Sequence, residues 1–146
     1  MTEFSPIDAL AQLSFAMHAR IEQSAARTGL SVTQVRLLGI LRDREPAAGE
    51  LAVHLGLSRS SVSGLIDRAV QRGLVSRVED ESDGRSVRIR IAPAGRSLID
   101  ESAAVFADEL RGVLGALEPA ERAQWVSMTD RLLRADAAER GSDFDA

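Results

Sequence analysis

The chain has 146 residues, no cysteine, and 22 acidic against 18 basic side chains, for a formal net charge of −4. That length suits one domain with a real core. The absent thiols exclude disulfides, thiol redox sensing and Cys-ligated zinc, and no apolar run is long enough to cross a bilayer. The opening MTEFSPIDAL carries two acids and no basic stretch, which argues against a secretory signal and for a cytoplasmic protein.

Residues 5–28 predict a helix, with Ile7, Leu10, Leu13, Met17 and Ile21 recurring every three to four residues and Gly29 as its stop. Ser31-Val-Thr-Gln34 has the form of a capping box. The helix it opens carries Val35, Leu38 and Leu41 on one side, with Leu37 and Ile40 widening the apolar face. Pro46 separates it from a short helix at 47–55, where Leu51, Ala52 and Leu55 point inward and Gly56 lies at a turn.

The informative stretch comes next. Ser58 is a natural N-cap, and Val62, Leu65, Ile66 and Ala69 repeat at the spacing of one buried helical face, so 58–72 reads as a helix. Its opposite side carries Arg59, Ser60, Ser63, Gly64 and Arg68. The small residues among them, Ser60, Ser63 and Gly64, let a helix approach another surface, and the serines can hydrogen-bond to it. After Gly73 the period changes to two. Val75, Arg77 and Glu79 alternate with Ser76, Val78 and Asp80, and Val87, Ile89 and Ile91 alternate with Arg88, Arg90 and Ala92. The polar EDESDGRS between them suits a hairpin tip. A helix-turn-helix followed by such a hairpin, 74–92, is a winged helix.

Pro93 suits the first turn of a further helix, to Leu117, striped by Leu98, Ser102, Val105, Phe106, Leu110, Val113, Leu114 and Leu117. Pro119 restarts the chain in a last helix to 138, with Glu118 and Glu121 at the positive end of its dipole and Trp125, Val126, Thr129, Leu132 and Leu133 as its buried face. Residues 139–146 form an acidic tail expected to be flexible.

The expected fold is therefore mainly α with a small β wing. It forms a single domain, 1–146, with a winged helix-turn-helix at 31–92 flanked by helices at 1–30 and 93–138. Those terminal helices carry more apolar surface than one small winged helix can cover, which predicts a two-fold homodimer built from them. Residues 58–92 hold seven arginines and five acids, net +2, against −1 for 1–57 and −5 for 93–146. The positive part coincides with the helix and hairpin. Four of its acids crowd at 79–83, where they either face away or cage the arginines.

The ordered pieces LAVHLGLSRSSVSGLIDRAVQRGLVSR, DGRS and VRIRIAPAG, together with the helices on either side, resemble the multiple-antibiotic-resistance regulator (MarR) family of bacterial transcription factors over nearly the whole chain. The resemblance implies a homodimeric, sequence-specific binder of double-stranded DNA at a pseudo-palindromic operator, its first and last two helices interlocked across the dimer axis. On that reading Ser58, Arg59, Ser60, Ser61 and Ser63 sit on the first turns of the recognition helix. There base edges are reached and the helix N-terminus suits a phosphate. Arg68 and Arg72 lie further along, toward the sugar-phosphate backbone, with Arg88 joining from the return strand. Arg68 has the alternative of pairing with an acid inside the domain, and Asp67 that of pairing with a wing arginine. Asp83 and Arg85 match the family's Asp-x-Arg pattern, in which the arginine enters the minor groove and the aspartate holds it. Gly84 stands where the family often has a second arginine.

The resemblance also implies a repressor released by a small aromatic or phenolic ligand bound between the dimer helices and the winged helix. Phe15, His18 and Arg36 are the candidates facing such a crevice. Of these, Arg36 would hold a carboxylate. No nucleophile–base pair, phosphate loop or metal cluster is present in the sequence, so no enzyme activity, cofactor, metal or membrane partner is expected. The competing reading is a winged-helix protein-interaction module without DNA binding.

Overall fold

The computed structural model of the chain describes residues 4–84 and 86–141. Along them run α1 (Pro6–Arg27), α2 (Val32–Leu41), α3 (Ala48–Leu55), α4 (Arg59–Gln71), β1 (Val75–Glu79), β2 (Val87–Ile91), α5 (Pro93–Leu114) and α6 (Pro119–Glu139). The caps explain where several of these begin. Ser5 Oγ accepts the Asp8 N–H at 3.1 Å ahead of α1. Ser31 and Gln34 close their box reciprocally, at 3.2 and 2.9 Å, and Ser58 Oγ accepts the Ser61 N–H at 3.2 Å ahead of α4. Each such cap is worth about 1 kcal/mol.

The core lies inside the winged helix. Leu37, Leu38 and Leu41 of α2, Leu51 and Leu55 of α3, and Val62, Leu65, Ile66 and Ala69 of α4 meet Val75, Ile89 and Ile91 of the hairpin. Fully burying a side chain of this kind contributes roughly 1.5–3 kcal/mol, so α4 is held by the face its periodicity marks. Gly73 then turns the chain out of α4 at φ +70, in the left-handed region where a Cβ is penalised. The strands pair antiparallel, with Val75 opposite Ile91, Arg77 opposite Ile89 and Glu79 opposite Val87.

Two expectations about the last helices need correcting. The side of α5 that packs into this chain is Gly95, Ile99 and Ser102, spaced four and three apart, and Ile99 was not in the anticipated stripe. Of that stripe Ser102 is buried, Leu98 packs against the core, Val105, Phe106 and Leu110 are half-buried, and Val113 and Leu114 near its end are exposed. The helix also ends at Leu114, with Gly115 as its cap, so Leu117 lies in the following turn. No residue of α6 is buried within the chain. Trp125, Val126, Leu132 and Leu133 are 40, 65, 58 and 52% exposed, because no other element of the same chain covers them.

α5 leaves the root of the hairpin through a close backbone approach. The Leu74 carbonyl accepts the Ala92 N–H at 2.9 Å, and Gly95 passes over that carbonyl so tightly that a Cβ on Gly95 would stand 2.1 Å from the Leu74 oxygen. In an open helix Gly→Ala would gain about 1 kcal/mol. Here the obstacle is backbone and cannot rotate away. Gly95→Ala is therefore expected to destabilise the fold by about 1–3 kcal/mol, read as a lower denaturation midpoint at unchanged slope. A raised midpoint would disprove the contact.

Candidate nucleic-acid interface

The outer face of α4 is polar and open. Arg59, Ser60, Ser61, Ser63 and Arg68 are all exposed. The hydroxyls of Ser58, Ser60 and Ser61 form a cluster at its N-terminus, with Oγ–Oγ distances of 3.1 and 2.8 Å from Ser58. Arg59 makes no hydrogen bond or ion pair with the described residues. Neither does Arg68, whose guanidinium lies back over Gly64. Of the two openings left for Arg68, the structure does not realise the internal acid.

The hairpin has spent most of its positive charge. On the face it shares with Ile89, Arg77 reaches across to α4 and bonds Asp67 at 2.5 Å, so Asp67 does pair with a wing arginine. On the opposite face Arg88 donates from Nε to Asp80 at 2.7 Å and from Nη1 to the Glu45 carbonyl at 3.0 Å. Arg90 forks onto the Glu45 carboxylate at 2.6 and 3.0 Å. Its hydrogen bonds to Arg90 hold the Glu45 carboxyl below its ordinary range. Of the acids at 79–83, Asp80 cages an arginine while Glu79, Glu81 and Asp83 are exposed. The Asp83 carbonyl closes the turn by accepting the Ser86 N–H at 2.9 Å. Arg85 lies outside the described residues.

The remaining candidates scatter. Arg72, at the far end of α4, donates to the Gly29 carbonyl at 3.3 Å. Arg36 donates to the carbonyls of Leu55 and His54 at 3.2 and 3.4 Å, satisfying the C-terminal end of α3. His18 stands 3.5 Å from Glu22 on the same helix face, and Phe15 is 74% exposed. Burial, followed by the charges of Arg44 and Arg36, lowers the pKa of His54. Among the described residues no group of three or more His, Cys, Asp or Glu side chains is placed to hold a metal ion, and no helix is long and apolar enough to cross a membrane.

Glu45 and Arg90 were not singled out in the sequence, and Asp80 entered there as one of the acids at 79–83 set either to face away or to cage the arginines. Their pairing joins positions 8 to 45 residues apart, and no short-range spacing signals it.

Residues 28–86 match the MarR family. Two relatives from Bacillus subtilis (strain 168) bear names of uncharacterized HTH-type transcriptional regulators. YcgE is 42% identical over 69 residues, 46% of this chain and 45% of its own length. YdgG is 31% identical over 94 residues, 62% of this chain and 61% of its own. The alignments thus span about half the length of these relatives. Among solved structures, wild-type apo MarR from E. coli aligns with a TM-score of 0.74 at 18% identity, over 90% of this chain and 99% of that one. An S. aureus MepR–DNA complex aligns at 0.71 and 20%, over 91 and 99%. At these identities the likeness is one of fold.

Asp80 supplies a direct check on the caged hairpin. Hydrogen bonds from the Ser82 hydroxyl, Arg88 and the Ser82 N–H lower its pKa from 3.8 to about 2. Its folded pKa lies below its unfolded one, so its contribution to stability is complete above 3.8 and is lost as pH falls toward about 2. A carboxyl-carbon NMR titration should place the Asp80 midpoint near 2 rather than 3.8. An ordinary midpoint would remove the network.

Proposed function

We propose that the chain, whose residues 28–86 match the MarR family, is a homodimeric transcription regulator that binds double-stranded DNA. The observation that carries this reading is the outer face of α4, where Arg59 and Arg68 stand exposed, without a partner among the described residues, beside a serine-lined helix N-terminus. Those are the groups that meet phosphates and base edges. The solved MepR–DNA complex of the same fold supports it by analogy of fold. Ser58, Ser60, Ser61 and Ser63 then line the approach to the groove, and Arg59 reaches furthest into it. Arg85, from the Asp83-Gly84-Arg85 pattern, supplies the minor-groove arm. Arg72 and Arg88 are engaged within the chain and would touch phosphate only with donors left over.

The dimer follows from uncovered surface. Ile7 and Leu10 of α1, Val113 and Leu114 of α5, and Trp125, Val126, Met128, Leu132 and Leu133 of α6 are all exposed in the single chain. Apolar surface on this scale marks an interface. A second copy seated on these helices sets two α4 helices in successive major grooves, about 34 Å apart. Repression relieved by an aromatic or phenolic anion near Phe15 and His18 completes the reading. Arg36 enters it only if it releases its carbonyls. The neutralised hairpin arginines favour the second reading, a protein-interaction module.

Electrophoretic shift on the chain's own promoter region separates the two. DNA binding should weaken steeply with added salt, and Arg59→Ala and Arg85→Ala should each cost about 1–3 kcal/mol of operator affinity. No shift at low salt would leave the interaction module. Sedimentation should give a dimer at micromolar concentration, and Leu132→Asp should move it toward monomer. A wild-type monomer would reject the assembly. A thermal-shift screen of phenolic acids should find a stabilising compound, and silence throughout would leave ligand control without support.

A further inference from the structure

The hairpin is fastened by a residue outside it. Glu45 lies between α2 and α3, and it binds β2 twice. Its carboxylate takes the fork of Arg90 at 2.6 and 3.0 Å, and its carbonyl takes Nη1 of Arg88 at 3.0 Å. The next two residues extend the seam. The Pro46 carbonyl accepts the Ile89 N–H at 2.9 Å, and Ala47 forms an antiparallel bridge with Arg88. Across the hairpin, Arg77 ties β1 to Asp67 of α4. A lone two-stranded hairpin is marginal in water, so these ties and the burial of Val75, Ile89 and Ile91 in the core set where this one points.

We propose that Glu45 is a positioning residue for DNA binding, fixing the hairpin at the angle to α4 at which helix and hairpin tip meet one duplex together. The inference rests on the DNA-binding reading above. Lever geometry gives it force. Each strand of five residues is about 17 Å long, so a swing of about 10° at the root carries the tip roughly 3 Å, the length of a hydrogen bond. On the β2 side the Glu45–Arg90 fork opposes such a swing, together with the bond from Arg88 to the Glu45 carbonyl. It is bidentate and charge-assisted, which adds directional stiffness. Glu45 itself need touch no DNA.

The test is operator binding by the full-length protein, with the fold of each variant checked by its melting curve. Glu45→Ala should weaken binding about tenfold while the chain stays folded. Arg90→Glu, which sets two carboxylates against each other, should weaken it further. The double variant Glu45→Arg with Arg90→Glu rebuilds the pair in reverse and should recover most of the loss. A residue that acts through the hairpin tip should also fail to add to the loss of the tip, so Glu45→Ala combined with Arg85→Ala should bind no worse than about twofold below Arg85→Ala alone. Wild-type affinity in Glu45→Ala, no recovery in the swapped pair, or full additivity with Arg85→Ala would each overturn the inference. If the wild-type protein binds no duplex at all, the DNA reading falls, and this inference with it. Wild-type binding with an inert Glu45 would sink the positioning role alone.

Discussion

The rest of the structure depends on the backbone crossing at the hairpin root, where the Leu74 carbonyl accepts the Ala92 N–H and leaves room above it for a glycine only. This crossing closes the ladder of β1 and β2 and sets the direction in which α5 departs. The hairpin and the long helix therefore share one junction, with Ala92 alone between β2 and α5. Ile91 packs beside it, within reach of the position a Cβ on Gly95 would take. A shift in α5 is thus felt at the hairpin through packed atoms with little freedom to absorb it.

The second organising fact is where the positive charge is spent. The chain is acidic overall, and three hairpin arginines are tied to Asp67, Asp80 and Glu45. Exposed pairs of this kind contribute little stability each. Their value is directional: Arg77 holds the hairpin to α4, and Arg88 and Arg90 hold it to the segment before α3. The arginines on α4 are left with open guanidinium groups. The molecule thus uses one set of arginines to fix a shape and another to present charge on it.

Much of this architecture was legible in the sequence, for local reasons. The buried face of α4 is written as Val62, Leu65, Ile66 and Ala69 at helical spacing, the capping box as Ser31 and Gln34, and the hairpin as alternation on either side of a polar tip. What the sequence did not show is what distant segments do to one another. Glu45 and Arg90 are ordinary surface residues until the fold sets them side by side. In α5, Ile99 sits just off the long apolar stripe. The stripe dominates any reading by periodicity, yet only its first members, Leu98 and Ser102, meet this chain's own core, beside Gly95 and Ile99, which it did not include. The Trp125 to Leu133 face of α6 was read as buried from its apolar spacing, but no described element of this chain covers it.

That uncovered face has a thermodynamic consequence. Side chains that find shelter only against a second molecule make folding and assembly one mass-action equilibrium. In the proposed dimer, the apolar surface left open on α1, α5 and α6 would gain a burial that the single chain does without. Dilution should then loosen those helices before the winged core, whose own leucines and isoleucines are already enclosed. The abundance of such a protein would govern how much of it is shaped to act as well as how many copies exist.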